Sequence, residues 1–157
     1  MDDPLRSQLS VLLDWKDAHV GFDSAVEGVA RELRGVAPDG LPYSLWQLVE
    51  HMRICQRDIL DFCTNPGYVE LPADRYFAPD AVPPTPDAWE ESLEGYRRDR
   101  AALKRLAADP AIDLYAAIPH GTGQTYLREI LLAADHNAYT VGQIIVVRRL
   151  LGVWESS

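Results

Sequence analysis

Two histidines stand in the middle of apolar segments, His51 in "LWQLVEHM" and His136 in "HNAYTVGQ". There an imidazole can ligate a divalent metal or form a buried hydrogen bond. A helix that grips a metal with two side chains places them four apart on one face. Four residues after His136 stands Thr140, so the expected partner is missing from that helix. His136 shares its face with Thr140, Gln143 and Val147, a polar patch in an otherwise apolar stretch. Buried polar side chains need partners, so the patch either bonds internally and to the segment carrying His51, or lines a wet cavity. His19, between Trp15 and Phe22, reads as a hydrogen-bonded core imidazole, and His120 in "IPHGTG" as a loop residue.

Four helical segments must position these groups. The first starts at Asp3-Pro4, an N-cap followed by a first-turn proline, and fades near Gly35. Its stripe is Trp15, His19, Phe22, Val26, Val29 and Leu33, with Gly21 as a point where it can kink or break. The second opens on a capping box, Ser44 with Gln47, and a staple of Tyr43 on Leu48. It runs through Met52, Cys55, Ile59 and Phe62 and stops before Asn65. Residues 65–85 hold five prolines and three aromatics with no sustained period, the mark of a functional loop or a crossover. Thr85-Pro86-Asp87 starts the third helix, faced by Trp89, Leu93, Tyr96, Leu103 and Leu106. The fourth starts between Thr122 and Thr125 and runs to about Leu151, where Gly152 can end it. The reading is all-α: one domain over residues 1–157, a four-helix bundle with a long crossover between helices 2 and 3.

Composition narrows the partners. With 24 acids against 15 bases the formal charge is −9, which repels a phosphate backbone and an anionic membrane alike. Neither nucleic acid nor a membrane is therefore expected. The acidic start "MDDPLRSQLS" resembles no targeting peptide, and a cytoplasmic protein is the expectation. Cys55 and Cys63, eight apart on one helix, are separated by about 12 Å of rise and cannot pair with each other.

The histidine in "LWQLVEHM", the long crossover and the closing "REILLAADHNAYTVGQIIVVRRLLGVW" resemble the DinB-like superfamily, which includes mycothiol-dependent maleylpyruvate isomerases and bacillithiol transferases. The resemblance spans nearly the whole chain and implies an up-down-down-up bundle. It also implies a divalent metal (zinc, nickel or manganese) held by three histidines, one on helix 2 and an H-x-x-x-H pair on helix 4. His51 matches the helix-2 ligand and His136 the first of the pair, while Thr140 replaces the third. A hydroxyl is a poor ligand for such metals. His19 is one candidate replacement, Asp58 on helix 2 another, and a bound anion a third.

Two functions follow. One is a metal-dependent transferase or hydrolase, using a low-molecular-weight thiol, with His51 and His136 on the metal and Thr140 and Gln143 orienting the substrate. The other is a non-catalytic dimeric bundle binding a small molecule in a vestigial metal pocket. A third class, a helical adaptor, would use the crossover aromatics Tyr68, Tyr76 and Phe77, which can equally seal the bundle end. Helix 4 is apolar enough to be shared in a homodimer, and related bundles often pair through helix faces.

Overall fold

A computed structural model describes residues 3–14 and 18–154. Its helices are α1 (Pro4–Leu12), α2 (Phe22–Val26), α3 (Leu45–Thr64), α4 (Ala88–Ala108) and α5 (Tyr126–Leu150). Single 3₁₀ turns lie at Arg31–Leu33 and Ala73–Arg75. The described residues contain no strand, only an isolated bridge between Ala117 and Thr125.

Side-chain caps set the starts of α3 and α5, whereas the N-cap of α4 is Asp87, whose side chain makes no capping bond. Ser44 accepts from the Gln47 amide at 3.2 Å while the Gln47 side chain accepts from the Ser44 amide at 3.1 Å, completing the capping box of α3. Thr85 Oγ1 accepts from the Ala88 amide ahead of α4, and Thr125 accepts from Arg128 at the start of α5. Gly152, at φ +72°, adopts the left-handed conformation that ends α5.

The first segment differs from the expected single helix. Helix α1 stops at Leu12, and α2 begins only at Phe22, after an extended Gly21 (φ −81°, ψ 173°). Gly28, at φ +68°, then turns the chain out of α2. Phe22, Val26 and Val29 are nevertheless buried, because short helical turns can present the same face as one long helix. His19 is exposed rather than core, and Trp15 lies outside the described residues.

Helix α3 packs on both α4 and α5, with α1 against α4 and α2 against α5. Two apolar clusters fill the interior. One gathers Phe22, Trp46, Met52, Trp89, Tyr96 and Ile144, the other Leu9, Leu60, Leu103, Ile118, Ile130 and Ala133. On α3 the first cluster ends at Met52 and the second resumes at Ile59; on α5 they are separated by residues 135–140. The polar groups of interest sit in that seam. Helix α5 is long and apolar enough to cross a membrane by length and composition, and 44 % of its most apolar window is buried inside the protein.

The crossover is ordered by a row of polar side chains on α3. Ser44 Oγ donates to the Ala81 carbonyl, Gln47 Nε2 to Ala78 (3.1 Å) and His51 Nδ1 to Tyr76 (2.7 Å). Two turns further along, Asp58 accepts from the hydroxyls of Tyr76 and Tyr68, each at 3.0 Å. The loop thus runs antiparallel to α3, its carbonyls satisfied by successive turns of the helix. Two of the crossover aromatics are therefore tied to α3 by their hydroxyls.

Candidate metal centre

Helices α3 and α5 bring His51 and His136 together in the seam, with their Nε2 atoms 3.0 Å apart. The Tyr76 carbonyl accepts from His51 Nδ1, so the neutral His51 ring turns its Nε2 lone pair toward His136. Phe77 lies flat on the His51 ring, centroids 3.9 Å apart and planes 7° from parallel. The crossover thus fixes the tautomer of His51 from one side and covers its face from another.

The third member of the cluster is Cys55, one turn after His51 on α3. Its Sγ lies 3.5 Å from His51 Nδ1 and 3.8 Å from Nε2. One donor atom each from His51, Cys55 and His136 falls within 4.8 Å of the others, a group that could hold a metal ion. Two nitrogens bound to one ion at about 2.0–2.1 Å, with a sulfur at about 2.3 Å, stand roughly 3 to 4 Å apart. The cluster is already near that size.

The donor chemistry also fits. Burial, and then the neighbouring His51, push His136 down to about 4, while burial lowers His51 against the opposing Tyr76 hydrogen bond. Both rings are neutral near pH 7 and offer lone pairs. Burial, with Asp58 adding to it, pushes the Cys55 thiol up to about 12, so without a cation it stays protonated. Three buried polar atoms here have no partner: His136 Nδ1, Asn137 Oδ1 and Gln56 Nε2. When His136 Nε2 donates its proton to His51, the Nδ1 lone pair is orphaned. If Nε2 instead served a metal, the proton would sit on Nδ1, and the Asn137 side chain beside it favours that proton.

Asn137 also donates to Gln56 Oε1 at 2.8 Å, both side chains being buried. This amide pair joins the residues immediately after Cys55 and His136, and so sets the register of α3 against α5 at the site.

Among the other residues singled out in the sequence, Thr140 is buried and its hydroxyl donates to the His136 carbonyl at 3.0 Å. Gln143 donates to the Tyr43 hydroxyl at 3.0 Å. The candidate replacement ligands are placed elsewhere. His19 is exposed, its Nδ1 held by the Val20 carbonyl, and it lines a cavity of about 240 Å³ with Phe22, Tyr96 and Asn137. Asp58 is taken up by its two tyrosines. His120, half-buried, bonds the Phe62 carbonyl. Cys55 was missed because its sulfur was counted with the apolar face of its helix. The signal was present: His51-x-x-x-Cys55 is the same four-residue spacing sought after His136. No protein-family model, curated protein or solved structure matches the chain.

Proposed function

We propose that this protein is a divalent-metal protein whose centre is built from His51, His136 and the thiolate of Cys55. The observation that carries this reading is the convergence of three good donors from two helices in the seam between two apolar clusters. Zinc is the best match to two imidazoles and a thiolate, a three-ligand set that leaves a position for water or substrate. The DinB-like resemblance points the same way, and long helices joined by an ordered crossover suit an up-down-down-up four-helix bundle. In this chain the third ligand moves from helix 4, where Thr140 stands, to the helix that carries His51.

His51, Cys55 and His136 would hold the cation, which would supply Lewis acidity toward a water or a low-molecular-weight thiol near neutral pH. The chain's own groups prepare the site. Tyr76 fixes the His51 tautomer, Phe77 keeps water from one face of that ring, and the Gln56–Asn137 pair holds the helix register. The reaction class we assign is metal-dependent transfer or hydrolysis, with a small thiol as cosubstrate.

A second reading is favoured by the direct His136–His51 hydrogen bond, which satisfies both facing nitrogens with no metal. It makes the chain a non-catalytic bundle with a small-molecule pocket. Cobalt(II) titration separates the two. Stoichiometric binding with a thiolate-to-cobalt charge-transfer band, absent in Cys55→Ala, supports the metal centre. A silent titration supports the second reading. For the reaction class, the zinc-loaded protein would be assayed on electrophilic and hydrolysable esters with and without a small thiol. Turnover abolished by His136→Ala is expected; turnover equal in the two proteins contradicts the assignment.

A further inference from the structure

The cavity of about 240 Å³ beside His19 opens on the side of α5 turned away from the metal centre. Ala134 and Ala138, which line it, stand about 160° around the helix from His136. It lies where the chain breaks between α1 and α2. Leu13, just after α1, belongs to one apolar cluster and Phe22, at the start of α2, to the other. Small residues at Gly21, Ala134 and Ala138 leave the space open. Voids larger than a water molecule are few in protein interiors, and about 150 Å³ of apolar space already admits a benzene-sized ring.

The walls are apolar. Leu13, Phe22, Tyr96 and Val141 are all buried, and the rings of Phe22 and Tyr96 meet with their centroids 4.0 Å apart. One polar group stands among them. Asn137 also lines the cavity and is only 7 % exposed; its Nδ2 donates to Gln56, and its Oδ1 has no partner. A buried acceptor without a donor is destabilising, and a donor brought into the cavity relieves it. The carbonyl has two lone pairs, so such a donor does not exclude a proton on His136 Nδ1.

The rim disfavours ions. Arg100 is held by Asp14 and Asp23, each at 3.1 Å, and Lys104 pairs with Asp14 as well. A charged ligand would lose hydration without gaining an uncommitted counter-charge from these groups. We propose that this cavity binds a neutral aromatic molecule of one or two fused rings carrying an N–H or O–H. Its ring packs on Phe22 and Tyr96 while its donor reaches Asn137 Oδ1. The site is separate from the metal centre and does not depend on its occupancy.

Calorimetric titration of the full chain with indole and with indene, in the presence of a chelator, tests this. Indene keeps the size and the rings of indole and lacks the N–H. Indole is expected to bind one-to-one and roughly tenfold or more tighter than indene, the worth of one hydrogen bond to a buried acceptor. Nuclear Overhauser contacts from indole to the methyl groups of Leu13 and Val141 should locate it. Ala134→Leu, and separately Ala138→Leu at the rim, should each weaken indole binding by roughly tenfold or more by filling the space, with circular dichroism to verify folding. The comparison of the two probes needs no variant to fold. Absence of saturable indole binding overturns the proposal, as does equal affinity for indene. So do an affinity unchanged in the folded variants, and contacts to His51 in place of Leu13, which would seat the ring at the metal centre.

Discussion

Cys55 sits one helical turn after His51, its sulfur 3.8 Å from the Nε2 that faces His136. A thiol at that spacing is either a filler of the apolar seam or the third donor of a metal site, and proton release distinguishes them. Burial holds the thiol up to about 12, so a cation that binds sulfur must displace one proton across the whole neutral range. Zinc affinity should therefore rise about tenfold per pH unit from about pH 7 to 8.5 in the wild type. In Cys55→Ala it should be weaker and nearly flat over the same interval. Competition titrations in two buffers of different ionisation enthalpy measure the proton count directly.

The metal-free protein has a pH dependence of the opposite origin. His136 is held at about 4 by burial and by His51, against 6.5 for an ordinary histidine. Between those values the unfolded chain binds a proton that the folded chain refuses. Stability due to this group is intact above 6.5, falls as pH drops through the window, and is fully lost below about 4. Urea midpoints with a chelator present should decline from pH 7 to pH 5, with a shallower decline in His136→Asn. Equal slopes would mean that the ring does not titrate as its surroundings dictate.

Phe77 covers His51 without ligating anything. Phe77→Ala should cost at least about 0.5–1.5 kcal/mol, since that usual worth of an aromatic pair adds to whatever the covered part of the ring contributes. Metal stoichiometry should be unchanged while a chelator strips the ion faster. Unchanged stripping rates would remove the crossover from its role as a cover.

The Gln56–Asn137 pair is a buried link between α3 and α5. Gln56→Leu leaves the Asn137 amide unpaired and should destabilise by about 1–3 kcal/mol. Replacing both with leucine should recover part of that loss, as a double-mutant cycle would register. The single variant should also bind metal more weakly, because the register at Cys55 and His136 is no longer held.

Much of the fold was legible because its long helices carry their own punctuation. Ser44 with Gln47, Thr125 and Gly152 act through local bonds that sequence spacing states directly, while α4 begins at Ala88, later than the expected Thr85 cap and first-turn Pro86. The first segment was not, since a run such as Phe22, Val26, Val29 looks the same in one helix or in separate turns. The backbone at Gly21 and Gly28 decides between them. His51 and His136 were legible as a pair from their places on apolar helices. Cys55 was not, because a buried sulfur reads as core until a neighbouring imidazole is seen. Nor was the row of contacts from Ser44 to Asp58, most of whose partners are carbonyls in a loop without a period.

The measurement that bears most directly on the metal centre is elemental analysis of the protein purified without an affinity tag, beside His51→Ala, His136→Ala and Cys55→Ala. About one equivalent of zinc per chain is expected in the wild type, with near-complete loss in all three variants. A wild type free of metal that also fails to bind added zinc, or a full equivalent retained by Cys55→Ala, would contradict the site.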